Sequence, residues 1–174
     1  MIRAVLFDRD GTLIADGSNN AGPITPMPHA AAALSRLRAC GVRIGVVTNQ
    51  PVISQGAVTE HQLQAVHREI ELAIGPIDGW FVCPHDVCEQ CRCRKPAPGL
   101  IHAALQRFGV AAHECALVGD IGSDVLAGRN AGVLSVLVPT PVTLDREISA
   151  APIVRHDLRA AVDYILTWNA QGAA

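Results

Sequence analysis

The run at residues 42–47, VRIGVV, constrains this chain most. Only Arg43 and Gly45 interrupt it, so it is closer to continuous than alternating. A strand patterned this way is buried on both faces, as in parallel sheets covered by helices. Further apolar runs at 4–7, 80–83, 115–118 and 133–138 read as companion strands. Helical stretches separate them. Residues 29–40 are rich in Ala and Leu and stop at Gly41. Thr59 with Gln62 makes a capping box ahead of a stripe of Leu63, Val66, Ile70 and Ile74. Pro98 opens a helix that Gly109 ends, residues 123–130 form another, and Asp157 caps a last one reaching about residue 168. Strand and helix alternating in this order predict an α/β fold, a Rossmann-like parallel sheet with helices on both faces. The Gly/Ser/Asn-rich segment 16–28 and the Pro-rich segment 139–152 read as loops. At 174 residues the chain is expected to form a single domain, 1–174.

In an open α/β sheet, ligands bind outside the carboxyl ends of the strands. The polar residues that follow each apolar run therefore carry the functional information. The first run ends in Asp8-Arg9-Asp10-Gly11-Thr12. Two carboxylates one residue apart can converge on a small site, one to attack and one to move protons. The second run ends in Thr48-Asn49-Gln50, donors suited to phosphoryl oxygens. Arg94 and Lys95 supply positive charge, and Asp120 and Asp124 follow the run at 115–118. Acidic residues from two strand ends suit Mg²⁺, and the whole set suits phosphoryl transfer through an aspartyl-phosphate. Each residue alone has a plainer reading. An Asp at a strand end can simply turn the chain, Asp124 can be a carboxylate at a helix N-terminus, Asn49 and Gln50 can satisfy loop backbone, and Arg94 can be a surface residue.

Composition narrows the class. Net charge is -2, so there is no basic surplus for nucleic acid or anionic membrane. Aromatics are 3%, too few for base- or sugar-stacking platforms. No apolar run approaches the roughly 18 residues of a membrane span. The N-terminus meets Asp8 early and has no small-residue cleavage site, so a cytoplasmic enzyme is expected. The expected partner is a small phosphorylated molecule; oligomeric state is left open.

Four of the six cysteines crowd into 83–93. Cys83-Pro-His85 and Cys91-Arg-Cys93, five residues apart, offer three thiolates and an imidazole, a tetrahedral set favoured by Zn²⁺. With all four positions filled by protein, such a zinc is structural. Cys88 is a fifth candidate, as a bystander or in place of Cys91. Cys40 and Cys115 sit among apolar neighbours and are expected to be buried thiols. His61, His67, His102, His113 and His156 are scattered, and most are expected to be solvated.

FDRDGT, VVTN, RKP and VGDIGSD, in this order, resemble the four signature motifs of the haloacid dehalogenase superfamily over residues 5–138. TNQ, the Cys/His loop and RKPAPGL further resemble its cap-less branch. That branch holds D-glycero-D-manno-heptose 1,7-bisphosphate phosphatases and histidinol-phosphate phosphatases. The resemblance implies a HAD-like fold with no large cap and a zinc-pinned loop, its site roofed only by residues 16–28, 50–58 and 83–95. It implies Asp8 as nucleophile, Asp10 as general acid and base, and Thr48, Asn49, Arg94 and Lys95 on the phosphorylated substrate. It implies Mg²⁺ on the Asp8 carboxylate, the Asp10 carbonyl and Asp120, with Asp124 orienting Lys95 or an outer water, and Zn²⁺ on Cys83, His85, Cys91 and Cys93. The leading expectation is a Mg²⁺-dependent sugar phosphatase of the heptose 1,7-bisphosphate kind, acting at the 7-phosphate. Histidinol-phosphate phosphatase is the alternative, since the five-residue interval in the Cys/His loop resembles those enzymes. More remote are a polynucleotide 3′-phosphatase, which shares TNQ, and a non-catalytic zinc-stabilised binding module. Ile121 departs from the family, which often has Lys or Arg after the fourth-motif aspartate.

Overall fold

The computed structural model describes residues 1–16 and 23–171. Five strands among these residues are β1 (Ala4–Phe7), β2 (Arg43–Asn49), β3 (Gly79–Cys83), β4 (Cys115–Gly119) and β5 (Leu134–Leu137). They form one parallel sheet in the order β3-β2-β1-β4-β5. The helices are α1 (Ala30–Ala39), α2 (Glu60–Ile74), α3 (Gly99–Phe108), α4 (Gly122–Ala131), α5 (Asp145–Ala150) and α6 (Leu158–Gln171). The alternating α/β reading holds throughout this frame, and among the described residues no large insert caps the strand ends.

The two faces of the sheet follow from the two-residue period of a strand. Val5 and Phe7 of β1 pack with Ile44 and Val46 of β2 against α1, α2 and α6. Ala4 and Leu6 face the other way, with Leu117 of β4, against α3 and α4. Each fully buried Leu, Ile or Phe contributes about 1.5–3 kcal/mol, which is why β1, buried at all four positions, anchors the sheet. The expected local signals are present. Thr59 Oγ1 accepts from the Gln62 N–H while Gln62 Oε1 accepts from the Thr59 N–H. Gly109 ends α3 at φ 63°, a left-handed conformation that costs glycine little. Asp157 Oδ1 accepts from the Ala160 N–H at the start of α6.

Two expectations are corrected. The segment 139–152 is not all loop, because it contains α5. That helix buries none of its residues, so it left no apolar stripe to read. Cys40 is exposed, because it caps the end of α1, one residue past the helix and off its buried face; Cys115 is buried as expected. Most of the scattered histidines are exposed as expected, and His67 is the buried exception. It falls on the inward stripe of α2 with Leu63, Ile70 and Ile74 and stacks on Trp80 at 3.7 Å between ring centroids. Burial, with the Arg9 charge adding to it, pushes its pKa down to about 4. Of the expected roof at 16–28, residues 17–22 lie outside the described residues. No helix among the described residues is long and apolar enough to cross a membrane.

Candidate active site

The sheet order reverses direction at β1, which has β2 on one side and β4 on the other. The carboxyl ends of these three strands meet at that switch point, where open α/β sheets bind ligands. Asp8 extends β1 by one more ladder bond, its N–H donating to the Val118 carbonyl at 2.9 Å. The chain then turns at Gly11, whose φ is 74°. A Cβ on Gly11 would meet Asp120 Oδ2 at 2.4 Å, so glycine is what lets the first and fourth motifs approach. Thr12 Oγ1 donates to Asp120 Oδ1 at 3.3 Å across the same gap.

Lys95 sits at the centre. Its Nζ lies 2.7 Å from Asp8 Oδ1 and 2.6 Å from Asp124 Oδ1, and donates to the Val47 carbonyl at 2.9 Å. Three partners for three ammonium hydrogens fix the side chain. It is buried, and although burial opposes its charge, the two carboxylates hold its pKa above the usual lysine value. Burial pushes Asp8 up to about 7, with the Asp124 charge adding to it and Lys95 opposing it. Burial also raises Asp120 to about 7, with Asp124 and Asp16 contributing. Ligand oxygens of Asp8, Asp120 and Asp124 all lie within 4.8 Å of one another. Three carboxylates against one ammonium leave a net charge of about two negatives, which fits a divalent cation among hard oxygen ligands.

The remaining expected residues are divided. Thr48 is buried beside the site, its Oγ1 accepting from Gln50 Nε2 at 2.8 Å, which leaves its own hydrogen to donate. Asn49 is turned to another task. Its Oδ1 accepts from the Lys95 N–H at 3.0 Å and its Nδ2 donates to the Lys95 carbonyl at 3.2 Å. It clamps the backbone of the lysine. Arg94 lines the cleft and donates from Nη1 to the His85 carbonyl at 3.2 Å. Asp8, Asp10, Thr48, Lys95 and Asp120 line a cleft of about 310 Å³, with Ile121 and Val142 at its edge. A larger, mainly apolar cleft of about 900 Å³ between α4, β5 and α5 contains none of these five side chains.

Sequence reasoning missed Arg9 and undervalued Gln50. Arg9 is fully buried and Gln50 nearly so. Arg9 Nη2 lies 3.0 Å from Asp10 Oδ2, and Gln50 Nε2 donates to the same oxygen at 2.8 Å. The signal available for Arg9 was parity: it continues the Val5, Phe7 series that points into the core.

Beside the cleft, Cys83, His85, Cys91 and Cys93 converge. The three sulfurs lie 3.2–3.5 Å apart, well beyond a disulfide bond of about 2.05 Å, and His85 Nδ1 is 3.2 Å from Cys93 Sγ. Burial pushes Cys83 up to about 12, whereas for Cys91 the opposing pull of the Arg94 N–H and neighbouring thiols wins and brings it to about 6. Three converging thiols with an imidazole fit a soft divalent ion such as zinc. Cys88 is exposed and outside the cluster.

A haloacid dehalogenase-like hydrolase family model matches residues 18–132. The chain belongs to the haloacid dehalogenase-like hydrolases. The matched stretch carries Thr48, Lys95, Asp120 and Asp124, while Asp8 and Asp10 precede it. This hydrolase is 32% identical over 160 residues to the D-glycero-beta-D-manno-heptose-1,7-bisphosphate 7-phosphatase of Pasteurella multocida, covering 83% of this chain and 87% of the relative. It is 34% identical over 135 residues to the D-glycero-alpha-D-manno-heptose-1,7-bisphosphate 7-phosphatase of Mycobacterium tuberculosis, covering 72% and 71%. Among solved structures, the D,D-heptose 1,7-bisphosphate phosphatase of B. bronchiseptica, complexed with magnesium and phosphate, superposes with a TM-score of 0.85. That match has 27% identity and covers 95% of this chain and 99% of the other.

Proposed function

We propose that this hydrolase is a Mg²⁺-dependent phosphomonoesterase of a single domain that removes the 7-phosphate of D-glycero-D-manno-heptose 1,7-bisphosphate. The observation that carries the chemistry is the buried Asp8 carboxylate, held 2.7 Å from Lys95 at the bottom of the cleft. The naming of its relatives supports the heptose substrate over histidinol phosphate or a 3′-phosphorylated polynucleotide.

An Asp8 oxygen bonds to phosphorus as the bond from phosphorus to the sugar oxygen breaks. Asp10 gives its proton to that departing oxygen. Water then attacks phosphorus, Asp10 takes the water's proton, the bond to Asp8 breaks, and inorganic phosphate leaves. Burial, with the Asp124 charge adding to it, outweighs the pull of Lys95 and leaves Asp8 at about 7, so the nucleophile depends on compensating charge. Lys95 supplies part of it and also faces the phosphoryl oxygens. The Thr48 hydroxyl donates to them, Arg94 serves the substrate at the cleft edge, and Asn49 acts through Lys95. The carboxylates of Asp8 and Asp120 with the Asp10 carbonyl would hold Mg²⁺, which supplies fixed positive charge against the phosphoryl oxygens. Asp124 orients Lys95. Cys83, His85, Cys91 and Cys93 would hold a structural Zn²⁺ that ties down the loop carrying Arg94 and Lys95. Reduced thiols of this kind support a cytoplasmic location.

Phosphate release with Mg²⁺ from heptose 1,7-bisphosphate, histidinol phosphate and 3′-phosphorylated DNA tests the reading. Turnover of the heptose substrate at least tenfold above the others is expected. Preference for either competitor overturns the substrate.

A further inference from the structure

Asp10 is the one catalytic carboxylate of this site that reaches toward solvent, its side chain about a quarter exposed. A carboxylate at the rim of a loop would ordinarily sample several rotamers. Here it is gripped from two directions. Arg9 Nε lies 3.2 and 3.1 Å from the two Asp10 oxygens, and Arg9 Nη2 lies 3.0 Å from Oδ2. Gln50 Nε2 donates to Oδ2 at 2.8 Å and also to Thr48 Oγ1 at 2.8 Å. Gln50 is itself fixed, since its N–H donates to the Cys83 carbonyl at 2.7 Å. Asp10 is thereby tied to the ends of both β1 and β2.

Arg9 is a costly way to fill its position. It occupies a core-facing place in register with Val5 and Phe7, where an apolar side chain would stabilise the fold at least as well. His67, the nearby titratable group, is held neutral and offers Arg9 no counter-charge. Among the described residues, the carboxylate Arg9 meets is that of Asp10. Arg9 shares its Nε–H between both carboxylate oxygens and places the Nη2 charge 3.0 Å from Oδ2, which fixes the plane of the group as well as its place.

We propose that Arg9 and Gln50 are positioning residues that together hold the Asp10 carboxyl aimed at the leaving-group oxygen, setting the efficiency of the proton transfer. This rests on Asp10 being the proton donor. The role predicts a dependence on the leaving group. An alkoxide needs the proton as its bond to phosphorus breaks, whereas 4-nitrophenolate leaves well without it.

The test compares kcat/KM for a primary alkyl phosphate and for 4-nitrophenyl phosphate in Gln50→Leu, Arg9→Met and Asp10→Asn. This parameter reports steps through departure of the leaving group, so slow hydrolysis of the phosphoenzyme does not blur it. Gln50→Leu and Arg9→Met are expected to lose about 10- to 100-fold more on the alkyl ester than on the nitrophenyl ester, with Asp10→Asn showing the same bias more strongly. Equal losses on both esters in the two clamp variants, with the bias present in Asp10→Asn, overturn the positioning role alone. Absence of the bias in Asp10→Asn overturns the assignment of the proton donor and the clamp with it. Should Arg9→Met fail to fold, Gln50→Leu decides by the same comparison.

Discussion

Lys95 Nζ bridges Asp8 and Asp124, at 2.7 and 2.6 Å, although Asp8 follows β1 and Asp124 lies in the first turn of α4, 116 residues further along the chain. The pairing favours the anionic form of a buried nucleophile, against the burial that pushes its pKa up to about 7. It also makes Asp8 the residue whose replacement separates chemistry from folding.

Asp8→Asn keeps the shape of the side chain and removes the charge that must attack phosphorus. Turnover should fall by about three decades or more while the melting temperature changes little, since an amide is cheaper to bury than a carboxylate. Phosphate-release assays and thermal melts on the same preparation check both halves. Near-native turnover would exclude Asp8 as nucleophile.

Asp8 and Asp120 rise from the ordinary aspartate value of 3.8 to about 7 on folding without metal. The folded state therefore binds protons more tightly than the unfolded one between those values. The stability these groups contribute is present below about pH 4 and is lost as pH rises through about 7. Divalent metal needs both carboxylates ionised, so Mg²⁺ should stabilise more at pH 8 than at pH 5. At a hundredfold excess over Kd the gain is about 2.7 kcal/mol, or about 5–10 °C. Melts across this range with EDTA or Mg²⁺ measure it, and Asp120→Asn should flatten the difference.

The two metals should separate by chemistry. Brief EDTA treatment should abolish activity, with Mg²⁺ restoring it, while zinc stays with its thiolates. Cys93→Ser should lower zinc content and stability together and weaken catalysis through the Arg94–Lys95 loop. Metal analysis alongside activity tests this; a fully active, zinc-free preparation would show that the Cys/His cluster has no structural need of zinc.

Ile121 lines the edge of the cleft, where a cation could reach a second phosphate. Ile121→Lys should raise kcat/KM for the bisphosphate by about ten- to a hundredfold, equivalent to the roughly 1.5–3 kcal/mol of a charged hydrogen bond, and leave a sugar monophosphate nearly unchanged. An equal change on both substrates would mean that position 121 does not meet the distal phosphate and that Arg94 carries that contact.

Local signals made much of this protein readable from its residues alone. The alternation of apolar runs and amphipathic stretches defined the parallel sheet. Because open sheets gather their strand ends, Asp8, Asp10, Thr48, Lys95 and Asp120 could be assigned to one site. The Thr59–Gln62 cap and the Cys/His spacing are likewise short-range patterns. The tertiary structure decided what depends on which distant groups meet. The register of β1 against β2 brings Gln50 onto Asp10, and the packing of α4 under the Lys95 loop makes Asp124 the lysine's second partner. Parity could place Arg9 inside, yet only the turn after β1 folds Asp10 back over it. Cys40 and His67 differ for the same reason: neighbouring residues in the chain report a helix's average face, while burial is settled by where that face ends and what packs against it.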